Sequence, residues 1–212
     1  MRALLSATDS SLNPPPAGGA NLPGDISRQA RGLAIVLLYA AYENLLRGLV
    51  RGLLEAAAKT GAGNRRLRPG FRVAAMAGDL QSIKDTPGNR FRLDQALAIA
   101  NALNQSRGCT VQPDWFPDDG THMRRAQVSS VFNLFGLGDP AAILQGAWER
   151  LDTIVSERNA IAHGRRGADE VGRAYTHQDL IDLVNLWESR WLALIAKIET
   201  ETAAREFFRS PR

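Results

Sequence analysis

The chain has one cysteine, Cys109, in 212 residues. That excludes an intramolecular disulfide and any cysteine-based zinc site. Lysine is also scarce, occurring only at Lys59, Lys84 and Lys197, so arginine carries almost all the positive charge. Strand signals are nearly absent, and there is no internal repeat and no heptad array. The longest apolar run, Leu33 to Tyr42, is about half of what a membrane span needs. The start, Met1 to Pro16, holds one short apolar patch, Ala3 to Leu5, and no signal-peptide core. These absences predict a cytoplasmic protein with no membrane partner. No carboxylate cluster or histidine pair has ligand spacing, so neither a metal nor another cofactor is expected.

What is present is the composition of a globular domain. Hydrophobic residues make up 44% and charged residues 23%, enough for one domain with a real core. The formal charge of +4 and a pI near 9.7 are compatible with a polyanionic partner. The stretch Ser10 to Gly24 contains Pro14, Pro15, Pro16, Gly18, Gly19, Pro23 and Gly24, and residues 1–24 read as a flexible leader. The domain proper is expected over 25–205, with an inserted segment at about 61–125.

Periodicity divides that domain into helices. Asp25 or Ser27 can cap a long first helix that runs to about Lys59, where Gly61-Ala62-Gly63 ends it. A helix is predicted over Phe71–Lys84 and another over Arg92–Asn104. The irregular stretch 105–125 follows, with Trp115 and Phe116 as its anchors. A short helix covers Ala126–Phe135, and Gly136-Leu137-Gly138 breaks it. Asp139-Pro140 starts a helix that reaches His163, with Gly164 placed for a left-handed closing turn. The last helix begins at Thr176 with Asp179 in an imperfect capping box. Its apolar seam is Leu180, Val184, Trp187, Trp191, Leu194 and Ile198. Trp148, Trp187 and Trp191 fall on apolar stripes and read as core. The fold class is all-α, a four-helix-type bundle with an insertion.

The segment Leu151 to Gly164, LDTIVSERNAIAHG, carries the chemistry. On a helix, Leu144, Trp148, Leu151 and Val155 form the core stripe, and its next positions are Arg158 and Ala162. An arginine therefore stands where a leucine is expected, and a buried charge needs a partner or a ligand. A polar stripe runs beside it: Asp152, Ser156, Asn159 and His163. Arginine can hold a phosphate by two parallel bonds, asparagine can orient a neighbour, and histidine can move a proton near neutral pH. That set suffices to cleave RNA by its own 2′-hydroxyl without a metal. One histidine cannot easily serve as acid and base in the same turnover, so a homodimer that brings two His163 residues together is expected. A second reading stays open: Arg158 as a structural residue paired with Glu43 or Asp152, and His163 as a helix C-terminal residue favoured by the dipole.

Arg158-Asn159-Ala160-Ile161-Ala162-His163 resembles the R-x4-6-H motif of the HEPN superfamily, in the form with Asn after Arg and Gly after His. The flanks resemble its RiboL-PSP-HEPN branch: LLYAAYENLLRGLV (Leu37 to Val50) with its glutamate at Glu43, and VFNLFGL (Val131 to Leu137) before the motif helix. The resemblance implies a HEPN-type helical bundle that dimerises, RNA as substrate, and a metal-independent endoribonuclease with a composite site. It also implies a toxin–antitoxin, anti-phage or RNA-processing setting, with an antitoxin or other protein as a further partner. Arg158, Asn159 and His163 would be catalytic. Glu43, Arg47, Asp152 and Ser156 would support them, and Arg165 and Arg166 would track the RNA backbone. Glu43 and Arg47 also read as an ordinary i,i+4 pair. The alternative function is a non-catalytic HEPN module that binds RNA or a nucleotide, or acts as a helical dimerisation domain. In one HEPN toxin branch a tyrosine two residues after the histidine is modified by a partner enzyme; Arg165 stands there in this chain.

Overall fold

The computed structural model describes residues 22–85, 93–117 and 122–209. Nine α-helices lie among them: α1 (Leu22–Lys59), α2 (Pro69–Ala75), α3 (Ala77–Lys84), α4 (Leu93–Asn104), α5 (Arg125–Phe135), α6 (Pro140–Leu144), α7 (Gly146–Ala162), α8 (Ala168–Gly172) and α9 (His177–Ala203). A 3-10 turn spans Asn64–Arg66. Among the described residues there is no β-strand, only the isolated bridges Ala62–Arg107 and Leu67–Phe208. The all-α expectation holds.

Several boundaries move. Helix α1 begins at Leu22, so it takes in Pro23 and Gly24 from the expected leader, and Ser27 lies inside the helix, buried. Proline is tolerated there because the first turn has no intrahelical acceptor for its missing N–H. The leader up to residue 21 lies outside the described residues. The helix expected over Phe71–Lys84 is two helices, broken at Met76, whose φ and ψ are −108° and 10°. The helix expected from Pro140 to His163 is likewise broken, at Gln145, a non-glycine residue at φ 45°. Helix α8 was not foreseen; its few residues are too short to show a period.

The contacts sort these elements into two compact units. The first comprises residues 22–45, 122–126 and 141–193; α7, α8, most of α6 and the leading parts of α1 and α9 belong to it. Its core is Ile35, Leu38 and Tyr42 from α1, Leu151, Ile154 and Val155 from α7, and Leu180, Leu183, Trp187 and Trp191 from α9, all buried. Tyr42 sits on Trp191 with ring centroids 4.9 Å apart. Trp187 and Trp191 are thus core, as their stripe implied.

Two glycines let α8 lie directly on α1. A Cβ on Gly32 would fall 2.0 Å from the Ala168 carbonyl oxygen, and one on Gly172 would fall 1.9 Å from that of Arg28. Arg31 adds a hydrogen bond from Nε to the Gly172 carbonyl oxygen at 3.0 Å. Helix α9 opens with the expected capping box: the Thr176 N–H donates to Asp179 Oδ2 at 2.8 Å, and the Asp179 N–H donates to Thr176 Oγ1 at 3.1 Å.

The second unit holds residues 46–85, 93–117, 127–140 and 194–209. Leu46, Leu54, Phe71, Phe132, Phe135, Leu194 and Phe207 are buried in it. Helix α4 buries none of its residues fully. It rests on α3 and on the 3-10 turn.

Candidate functional site

The site residues on α7 all fall in the first unit. Leu151, Ile154 and Val155 are buried, so the helix face is fixed for the turn that follows. That face brings Arg158 to a half-buried position and buries Asn159, which is 8% exposed. Arg158 Nη1 donates to Asn159 Oδ1 at 2.8 Å. Its guanidinium lies over the ring of Tyr39, 4.6 Å from the centroid. Neither Glu43 nor Asp152 pairs with it, and among the described residues no carboxylate does. Arg158 is therefore not half of an ion pair with Glu43 or Asp152. The cation is held by a π face and one amide oxygen, which leaves its remaining N–H groups for an anion.

His163 closes α7. Its N–H donates to the Asn159 carbonyl at 3.1 Å, and its φ and ψ are −97° and 10°. Gly164 then adopts φ 64°. The Gly164 N–H donates to Ile161 at 3.0 Å and the Arg165 N–H to Ala160 at 2.9 Å, the bond pair of a Schellman turn. The imidazole is exposed and has no hydrogen-bond partner among the described residues. It is free to meet a ligand or a second copy of the chain.

Two tyrosines of α1 fix the loop beside the site. The Tyr39 hydroxyl donates to the His122 carbonyl at 3.3 Å and the Tyr42 hydroxyl to the Met123 carbonyl at 2.6 Å. His122 and Met123 both have left-handed backbones, φ 53° and 60°. Burial pushes the Tyr42 hydroxyl well above its usual range, and the neighbours Tyr39, Asp152 and Glu43 add to that. Tyr42 thus keeps its proton and hydrogen-bonds through it to the loop carbonyl. Asp152 accepts from the Arg125 backbone N–H and from its Nε, both at 2.9 Å. It anchors the start of α5 to α7. Burial alone would raise the Asp152 carboxyl, but the Arg125 bonds outweigh it and hold it below the ordinary carboxylate value.

The structure therefore joins Arg158 to Asn159 and places His163 one turn on at the same helix end. Asp152 is committed to Arg125. Ser156 is exposed and has no hydrogen-bond partner among the described residues. Glu43 is half-exposed on the helix that carries Tyr39 and Tyr42. Arg47 belongs to the second unit, its guanidinium 4.6 Å from the Phe116 ring centroid. Arg165 is exposed, while Arg166 Nε is paired with Glu170 at 2.9 Å. Sequence reasoning missed Tyr39. Its position on a helix apolar on every side reads as core, and only the packing shows which cation it faces. Among the described residues no group of three or more His, Cys, Asp or Glu could hold a metal ion.

A model of the RiboL-PSP-HEPN family matches residues 4–189. The chain belongs to the RiboL-PSP-HEPN family. No curated protein and no solved structure matches it. HEPN domains are all-α, are frequently ribonucleases, and commonly bind RNA and dimerise. The match takes in the first helix with Tyr39 and Glu43, the loop at His122, and the whole HEPN motif from Arg158 to His163.

Proposed function

We propose that the chain is a metal-independent endoribonuclease that works as a symmetric dimer, with Arg158, Asn159 and His163 from both copies in one site. The observation that carries this is Arg158: a half-buried cation with no carboxylate partner among the described residues, stacked on Tyr39 and bonded to Asn159, at the helix end that exposes His163. In the reaction one imidazole accepts the proton of the RNA 2′-hydroxyl. The 2′-oxygen forms a bond to phosphorus, the bond from phosphorus to the 5′-oxygen breaks, and the second imidazole gives that oxygen a proton. Arg158 offsets the charge that builds on the phosphoryl oxygens. A second copy has a surface to use. Ile26, Leu33 and Leu37 are 54%, 46% and 46% exposed, and they share one face of α1 in the unit that carries the motif.

The test is cleavage of single-stranded RNA in EDTA. Products should carry a 2′,3′-cyclic phosphate and a 5′-hydroxyl, and DNA should be inert because it lacks the nucleophile. His163→Ala should lose about 10²–10⁴-fold in rate, as removal of an acid–base group does, with the fold intact. Cleavage at the wild-type rate by His163→Ala, or a requirement for a divalent metal, would overturn the mechanism.

A further inference from the structure

A cluster of arginines lies in the second unit. Arg66, Arg107 and Arg205 line an open cavity of about 440 Å³, together with Gly61, Ser106 and Phe208. None of the described residues that line it is acidic. Among the described residues none of these three arginines has an ion-pair partner. The nearby Arg68 is different, since it is paired with Glu206.

The three come from separate segments that backbone bonds hold together. Arg66 ends the 3-10 turn; its carbonyl accepts from the Arg209 N–H at 2.8 Å, and its guanidinium lies 5.2 Å from the Phe208 ring centroid. Arg107 follows α4 and is bridged to Ala62. Arg205 follows α9, in a second Schellman turn: the Arg205 N–H donates to Thr202 at 3.1 Å and the Glu206 N–H to Glu201 at 2.9 Å. The residue at that point needs a left-handed backbone, and Arg205 has φ 54°. Glycine or asparagine fits there without strain. An arginine in that place is a departure from what stability favours, and backbone strain of this kind gathers at functional sites.

Three like charges around one cavity repel each other, and an anion relieves that repulsion. Guanidinium forks fit phosphate oxygens, and the exposed Ser106 hydroxyl adds a donor. We propose that this cavity is a phosphate-binding site, distinct from Arg158, and that its ligand is the phosphodiester backbone of a single-stranded nucleic acid. The proposal needs no cleavage, so its failure and that of the ribonuclease reading are separable.

The probe is a labelled single-stranded DNA of about 20 nucleotides, which supplies phosphates without a 2′-hydroxyl. Replacing Arg66, Arg107 and Arg205 together by Gln should weaken binding at least tenfold at low salt. The slope of log affinity against log salt should shrink by about two, at about 0.7 per phosphate contact on a single strand. Replacing Arg51, Arg150 and Arg173, which lie elsewhere, should cost less than threefold. A second variant separates function from structure: Arg205→Gly should raise Tm by a few degrees and still weaken the oligonucleotide. Equal losses in both triple variants, or no loss in the first, would overturn the site. Loss of inorganic pyrophosphate binding alone, with the oligonucleotide unaffected, would overturn the backbone as its ligand.

Discussion

Arg158 and Asp152, nearly two turns apart, show how α7 divides its work. A leucine at 158 would continue the apolar stripe; the arginine is kept there by the Tyr39 ring, a contact of about 0.5–2 kcal/mol depending on burial. Asp152, read from sequence as an aid to the same chemistry, instead ties α7 to α5 through Arg125. Its carboxyl is depressed, so the stability it supplies is present above the unfolded-state value and is lost as pH falls through the folded one. Its side chain is about a third exposed. Asp152→Asn should therefore cost only about 1 kcal/mol at neutral pH. Thermal melts from neutral to acid pH should show the variant and wild type converging as the acid limit is approached. A gap that stays constant with pH would mean the ionised form is not what matters.

Helix ends were legible wherever they rest on a residue with a mechanism. Gly164 was expected to adopt the left-handed turn and does, at φ 64°. Thr176 and Asp179 were expected to cap α9 and do. The breaks at Met76 and Gln145 were not legible, because neither residue type signals a stop; Gln145 nonetheless stands at φ 45°. The same holds within the site. The stripe pattern picked out Arg158, Asn159 and His163 by helical spacing alone, whereas the Tyr39 and Arg125 partners depend on elements far apart in sequence. At this scale Gly164→Ala should cost about 1 kcal/mol for a left-handed backbone with a side chain. That is about 2–4 °C in Tm for a chain of this size. Because the turn aims His163, the loss in cleavage rate should exceed what the lower Tm explains. A variant with normal activity would show that the turn does not set the imidazole.

For the whole molecule the expectation is association. By length and hydropathy the stretch Ile26–Lys59 would suit a membrane. Ile35, Leu38, Tyr42 and Leu46 on that stretch are buried against protein. What is left outward at Ile26, Leu33 and Leu37 is a stripe suited to a symmetric partner. Replacing Leu33 and Leu37 together by Asp should convert a dimer to a folded monomer in light scattering at micromolar concentration, with ribonuclease activity lost. A monomeric wild type with full activity would remove the need for a composite site. The joint between α1 and α8 bears on how such a site is inherited. At Gly32 and Gly172 main chain meets main chain, and the short stretch from Gly164 to Gly172 ties the exit of the motif helix to it. A mooring built from backbone has no side chain to vary. While the two glycines stay, the close backbone approach fixes the angle at which the motif's exit meets α1.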